Sequence, residues 1–229
     1  MAKSKRGNPL VSANMNKALK EKLIAISRER QTKNDPSHDF QHVFRVLNLA
    51  LKIGKKEKAD LDILIPAALF HDIVVYQKNH PMSVNENDES AEVAKNVLES
   101  FKNYPQEKIE KVIICIKQCS FSKGIYPDLL ESKILQDADR LEATGAISIM
   151  RTFSSGGQMN RQFYDPSDPF CEKETVAFRS NLDLFYRRLL IVEKGMHTEL
   201  AKKIAKRRTT FLKKFLQELK TELKESKVI

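Results

Sequence analysis

Apolar residues recur at intervals of three and four along most of the chain. Met15, Leu19, Leu23 and Ile26 form the first such series, and comparable series continue as far as Leu219. This spacing is typical of helices that bury one face, and no segment shows the strict alternation expected of a strand. With only seven glycines and eight prolines to interrupt it, the pattern predicts an all-α fold, a bundle of about seven to eight helices.

Later segments add detail to this prediction. A strongly apolar helix is expected over 60–73, and one long helix over 133–153. Residues 156–173 have no helical spacing, and a loop of that length within a compact domain is often functional. Two final helices are predicted from the apolar positions Phe178, Leu182, Phe185 and Leu189, then Leu200, Ile204, Phe211, Phe215 and Leu219.

The organisation and composition of the chain are those of a globular protein. No repeat, low-complexity tract or linker divides the sequence, so we predict a single domain over 1–229, with a core of about 10–220 and basic ends. No apolar run approaches the roughly 18 residues of a membrane span, and the basic N-terminus lacks the apolar core of a secretory signal. We therefore expect a cytoplasmic protein. Three cysteines without a CxxC pair argue against a disulfide framework or a zinc ribbon.

The net charge of +10 has two interpretations. It could attract a polyanionic ligand, such as nucleic acid, a nucleotide or an anionic lipid. It could also reflect lysine-rich helix faces that are simply solvated.

Three separated segments supply side chains that bind metal ions in other proteins. They are His42 near a helix start, the adjacent pair His71 and Asp72 at a helix end, and Asp137 or Asp139 in the QDADR segment. Imidazole and carboxylate groups together suit divalent ions such as manganese, magnesium, iron or zinc. Each segment also has a structural explanation, as a hydrogen-bonded core histidine or as acids favourable early in a helix.

The order of these segments resembles a known family. "SHDFQHVFRV", "AALFHDI", "SFSKG", "QDADRLEATGAISIMRTFSSGG", "FYDP" and "MHTELAKKIAKRR" are similar, in that order, to motifs of the HD-superfamily metal-dependent phosphohydrolases, whose ligands follow the order H, HD, D. Within the superfamily the chain resembles the bacterial branch related to nucleoside triphosphate diphosphatases. The resemblance covers roughly residues 36–220 and implies an HD-type helical bundle with a central metal cleft.

The resemblance implies the metal ligands His42, His71, Asp72 and Asp139, and a divalent ion, with manganese first and magnesium, iron, nickel or zinc as alternatives. Asp137 is the alternative fourth ligand, because two positions along a helix correspond to about 200 degrees and both aspartates cannot easily face one ion. His38 and Asp39 would lie behind the ligands or cap the helix locally.

The catalytic assignment adds cations and a proton-transfer group. Arg45 and Lys123 are expected to neutralise phosphate charge, with Asp72 acting at the metal. Residues 73–76 are apolar or aromatic where relatives often carry an acid, so proton transfer is assigned to Asp137, with Glu142, Glu89 or water as alternatives. A further departure is the cysteine at position 119, where a histidine is frequent in relatives.

These assignments predict a metal-dependent phosphohydrolase that cleaves a phosphate ester or anhydride of a nucleotide with metal-activated water. One alternative is a catalytically weak HD-like regulatory or interaction module. Another is nucleic-acid binding through the basic C-terminal helix, which lacks an aromatic stacking platform. The sequence leaves the oligomeric state open, a homodimer included. The cations of that last helix are Lys202, Lys203, Lys206, Arg207, Arg208, Lys213 and Lys214.

Overall fold

The fold is built from helices that surround one fully buried helix. The structure is a computed structural model that describes residues 15–31, 37–76, 80–120, 124–173 and 179–227. Within these ranges there are nine α-helices and no strand, apart from an isolated bridge between Gln162 and Ser180. The all-α prediction is confirmed. The helices are α1 Lys17–Arg30, α2 Phe40–Glu57, α3 Leu61–Phe70, α4 Glu86–Glu99, α5 Ile109–Lys117, α6 Leu130–Leu141, α7 Gly145–Gln158, α8 Asn181–Leu184 and α9 Glu199–Glu225.

Helix α3 is the centre of the bundle. All of its residues, from Leu61 to Phe70, are buried, and a helix that is apolar on every side can be satisfied only when other helices enclose it. Helices α1, α2, α4, α5 and α6 all pack against it. The C-terminal end of α3 therefore lies inside the protein, and the residues that follow it are delivered to an interior position.

The predicted long helix over 133–153 is interrupted in the structure. It is divided into α6 and α7, because Thr144 is extended and Gly145 has a φ of +73°, a conformation that favours glycine. A side chain at Gly145 would also crowd Arg208 of α9, whose Cγ lies 3.0 Å from the position of an added Cβ. The continuous apolar spacing hid this break, and α7 leaves α6 in a new direction.

The last third of the chain also departs from the prediction. Helix α7 continues to Gln158, so the irregular segment begins at residue 159 instead of 156. The predicted helix through Leu182, Phe185 and Leu189 consists of the short α8, a π-helical turn at Phe185–Leu189 and a 3₁₀ turn at Val192–Gly195. Phe178 lies outside the described residues.

Asp137 on α6 anchors the start of α9. Its two carboxylate oxygens accept hydrogen bonds from His197 N at 2.8 Å, from Thr198 N at 2.8 Å and from Thr198 Oγ1 at 2.7 Å. Farther along α9, Arg208 donates to the carbonyl of Leu141 at 2.7 Å. The two helices are thus joined at two points by polar contacts that are largely shielded from water. Among the described residues, no helix combines the length and the apolarity that a membrane crossing requires.

Replacing Asp137 with asparagine should lower the free energy of unfolding by about 1–3 kcal/mol, because an amide nitrogen in place of one oxygen leaves a buried donor without an acceptor. Urea unfolding at pH 7 measures this loss. The control is Asp88→Asn on α4, which removes an exposed carboxylate and should change stability by less than about 0.5 kcal/mol. Equal stability of the two variants would contradict the anchoring role.

Candidate metal centre and active site

His42 is held in the first turn of α2. Asp39 is the N-cap of this helix, and its Oδ1 accepts a hydrogen bond from the backbone N–H of His42 at 2.9 Å. The local capping role considered for Asp39 is therefore present. The imidazole of His42 is fully buried, because the apolar face of α2 carries it inward together with Val43 and Val46.

His71 and Asp72 follow the C-terminal end of α3. The Nδ1 of His71 lies 2.9 Å from the carbonyl oxygen of Ala68, and because a carbonyl only accepts, Nδ1 carries the proton and Nε2 keeps its lone pair. Gln31 donates from Nε2 to the carbonyls of Asp72, at 2.8 Å, and of His38, at 2.9 Å. This amide joins the segment before α2 to the segment after α3.

The structure brings His42, His71, Asp72 and Asp139 together. The two imidazole ring centroids are 5.5 Å apart. The Oδ2 of Asp72 lies 3.3 Å from His42 Nε2 and 3.6 Å from His71 Nε2. The Oδ1 of Asp139 lies 3.5 Å and 3.9 Å from the same two nitrogens. Side chains from three helices, distant in sequence, therefore converge on one point.

This geometry fits a metal ion better than it fits direct hydrogen bonds. The Nε2 atoms of His42 and His71 are buried and have no hydrogen-bond partner among the described residues, and the separations are longer than good N–H···O distances. Two ligand atoms that are each about 2.1 Å from one ion lie roughly 3.0–3.4 Å apart. His42, His71 and Asp72 each offer one such atom within 4.8 Å of the others.

The charges at this point are those of a cation site. Burial alone would raise the pKa of Asp72, but the neighbouring imidazoles of His71, His42 and His38 hold it well below the usual value, so it stays ionised. Burial and Arg151 lower the pKa of His42, yet the carboxylates of Asp72, Glu142 and Asp139 raise it above its usual value overall. The carboxylates thus stabilise positive charge here, from a proton or from a metal ion.

Glu142 and Arg45 form a second layer behind His42. Arg45 contacts Glu142 Oε2 at 2.8 Å through Nε and at 2.8 Å through Nη2, and the same oxygen lies 3.4 Å from His42 Nδ1. Burial of Glu142 would raise its pKa, but His42 and Arg45 outweigh this and lower the pKa to about 2. Because a carboxylate beside Nδ1 favours the proton on that nitrogen, the lone pair of His42 is left on Nε2, the atom that lies near Asp72 and Asp139.

Three of the predicted catalytic residues need correction or comment. Asp137 is turned toward α9, with both oxygens engaged by His197 and Thr198, so it is neither an alternative ligand nor a proton-transfer group. Arg45 was expected to face phosphate, but its guanidinium is occupied by Glu142 and does not line the cavity beside Asp72. Lys123 lies outside the described residues.

A cavity of about 420 Å³ opens over the converging side chains. Asp72, Asp139 and Glu142 line its floor, together with Cys119, whose pKa burial and the two aspartates raise well above the usual value, so that it remains a thiol. Arg140, which flanks Asp139, lines the cavity wall. The sequence analysis missed three further arginines of this wall. The polar stripe formed by α7 at intervals of three and four was the available signal for one of them. The three are Arg151, Arg161 and Arg188.

Comparisons with known proteins find a family model and several solved structures that resemble this chain. The HD domain family model matches residues 39–144. YpgQ of Bacillus subtilis is 31% identical over 196 residues, which cover 84% of this chain and 87% of YpgQ. A crystal structure of YpgQ in complex with ADP has a TM-score of 0.68 at 26% identity and covers 90% of this chain and 95% of its own. An HD-superfamily hydrolase from Bacillus thuringiensis has a TM-score of 0.70 at 29% identity, with 90% and 97% covered.

The ion pair at Glu142 should make stability depend on acidic pH. Its folded pKa of about 2 lies below the ordinary 4.5, so its contribution is complete above pH 4.5 and is lost as the pH falls toward 2. The difference in unfolding free energy between the wild type and Glu142→Gln should therefore be largest near pH 7, at up to about 3 kcal/mol, and should shrink as the pH falls.

Chemical unfolding at pH 7, 5, 4 and 3 tests this pH dependence. Glu92→Gln on α4 is the matched control, since Glu92 is exposed and its removal should give a small, nearly constant difference. A difference for Glu142→Gln that does not vary with pH would refute the assigned ionisation.

Proposed function

Since the chain belongs to the HD superfamily, we propose that it is a metal-dependent phosphohydrolase that cleaves a phosphate ester or anhydride bond of a nucleotide. The observation that carries this proposal is the pair of buried Nε2 atoms, on His42 and His71, that lie near two carboxylates and have no hydrogen-bond partner in the described part of the chain. A buried polar atom without a partner is costly, and a divalent cation would satisfy both nitrogens and both carboxylates.

In this proposal His42, His71, Asp72 and Asp139 hold the ion. Imidazole with carboxylate favours manganese, with magnesium, iron, nickel or zinc as alternatives. When bound, such an ion supplies a Lewis acid that polarises a phosphoryl oxygen and lowers the pKa of a water molecule. Glu142 keeps His42 in the binding tautomer, and the Ala68 carbonyl does the same for His71.

A nucleotide is the substrate class that the surroundings favour. The cavity of about 420 Å³ is within the usual range for small-molecule sites. Once a divalent ion compensates Asp72 and Asp139, the arginines of the wall leave an excess of positive charge that suits phosphate groups. The similar YpgQ protein was crystallised with ADP, which supports the same ligand class.

Water is the best remaining candidate for proton transfer. Asp137 is fully hydrogen-bonded, and Glu142 is held as a carboxylate by Arg45. Glu89 accepts a hydrogen bond from the hydroxyl of Tyr76 at 2.7 Å, and it does not line the cavity. We therefore assign proton transfer to solvent that enters the cavity.

A matrix of divalent metals against nucleotides tests the activity. Protein dialysed against a chelator should be inactive, and added Mn²⁺ should restore release of phosphate or pyrophosphate from at least one nucleotide. His71→Asn and Asp72→Asn should each lower kcat/KM by a factor of at least about 1000, because each removes an ion ligand. The exposed His80, replaced by asparagine, is the control and should keep wild-type activity.

The same assay separates the two aspartates of α6. Asp139→Asn should lose both Mn²⁺ binding and activity, whereas Asp137→Asn should lose stability but retain Mn²⁺ binding at a temperature where it is folded. Undiminished hydrolysis by His71→Asn, Asp72→Asn or Asp139→Asn would reject the proposed function.

The second layer should be visible in metal binding without any turnover. Arg45→Gln should weaken Mn²⁺ binding by about 10-fold or more, because partners behind a ligating histidine commonly contribute 10- to 100-fold to affinity. Calorimetric titration of the nucleotide-free protein measures this change. Lys52→Gln, an exposed cation of the same helix, should bind Mn²⁺ as the wild type does, and equal affinities for both variants would exclude the role of Arg45.

A further inference from the structure

We propose, resting on the function proposed above, that Arg151 and Arg188 form a phosphate-binding pair that positions the substrate against the metal ligands. The pair would distinguish phosphorylated ligands from unphosphorylated ones. Both side chains line the cavity that also contains Asp72 and Asp139, although they lie on separate elements of the last third of the chain.

Helix α7 presents one polar face to the cavity. Ser148, Arg151, Thr152 and Ser155 all line it, at the spacing of three and four that puts side chains on one side of a helix. The hydroxyl of Ser155 lies 3.0 Å from that of Ser37, in the segment before α2. Arg151 therefore projects from a face that is tied to the segment leading to His42.

Arg188 reaches the cavity from the π-helical turn at Phe185–Leu189. The backbone N–H of Leu190 donates to the carbonyl of Phe185 at 2.9 Å, an i to i+5 bond that defines this wider turn. Phe185 and Leu189 are buried and fix the turn, which leaves Arg188 exposed to the cavity. Such turns occur frequently at functional sites, because the extra residue redirects a side chain.

The two arginines line one cavity with Asp72 and Asp139, and they repel each other there. Desolvation lowers the pKa of the Arg188 guanidinium; Asp139 opposes this shift and Arg151 adds to it. Arg151 also acts unfavourably on a protonated His42. Within the described part of the chain, Arg151 makes no hydrogen bond or ion pair. Two repelling cations beside a metal site are stabilised when an anion binds between them.

Three other arginines near the site, all within the described ranges, have polar contacts that the structure shows. Arg45 is paired with Glu142, and Arg140 donates to the carbonyl of Gly195. Arg161 contacts the sulfur of Met159 at 3.8 Å. Arg188 is electrostatically coupled to Arg151 and to the ligand carboxylate of Asp139, and Arg151 is coupled to the ligand His42.

Binding of α,β-methylene-ADP, whose carbon bridge resists hydrolysis, tests the pair. Calorimetry on the full chain, with and without Mn²⁺, should give at least about tenfold weaker binding for Arg151→Gln and for Arg188→Gln, as expected when a charge-assisted hydrogen bond is lost. Adenosine should bind to the variants as it does to the wild type. Lysine at either position should retain part of the affinity, because the positive charge remains but the bidentate hydrogen bonding of the guanidinium is lost.

Two arginines outside the cavity serve as controls. Arg187→Gln changes the neighbouring residue in the same turn, and Arg207→Gln removes an exposed charge from α9; both should bind the analogue as the wild type does. The unfolding temperature of Arg151→Gln should not fall, since no residue within the described ranges makes a hydrogen bond or ion pair with Arg151. A purely structural arginine would lower this temperature.

Four results would overturn the pair: wild-type affinity of both glutamine variants for the analogue, an equal loss of adenosine binding, a lower unfolding temperature for Arg151→Gln, or no binding of the analogue to the wild type under either condition. Binding of the analogue without hydrolysis of any nucleotide would reject the hydrolase proposal alone. The two proposals can therefore fail separately.

Discussion

Two buried imidazole nitrogens that lie near the same two carboxylates impose the main constraint on this structure. The Nε2 atoms of His42 and His71 are buried from solvent and receive no hydrogen bond from the described residues. Burial of a polar atom without a hydrogen bond is unfavourable, and a cation bound between the two nitrogens would relieve this cost. Asp72 and Asp139 provide the negative charge that would hold such a cation. The relative positions of α2, α3 and α6 follow from the need to bring these groups together.

Helix α6 connects this centre to the rest of the fold. Asp137 and Asp139 are two positions apart, about 200 degrees around the helix axis, and they face opposite partners. Asp137 secures the start of α9, whereas Asp139 faces the two histidines. Rotation of α6 about its axis would therefore disturb both the packing of α9 and the positions of the proposed ligands. These two sets of contacts together fix the orientation of α6.

Much of the structure could be predicted from local spacing and motif order in the sequence. The features that could not be predicted depend on contacts between residues that are distant along the chain. The all-α fold and the meeting of His42 with His71 and Asp72 were expected from periodicity and from the order of the motifs. Helix geometry also indicated that Asp137 and Asp139 cannot easily face one ion, but it did not indicate which of the two faces α9. Arg45 was assigned to phosphate because it lies three residues after His42, on nearly the same face of the helix; its partner in the structure, Glu142, is 97 residues away and so lay beyond the reach of local spacing. Arg151 and Arg188 were missed because their approach depends on the left-handed Gly145 and on a π-helical turn, which apolar spacing does not reveal.

The exposure of Arg45 has a consequence for how this centre can change. Its side chain is 36% exposed, whereas its partner Glu142 is 1% exposed, so a single ion pair extends from the solvent-facing side of α2 to the back of His42. Dissolved salt screens such a partly exposed pair more than it would screen a fully buried one. Substitutions on the outer surface near Arg45 could therefore change the metal affinity of the site during evolution, while the residues that line the cavity stay the same.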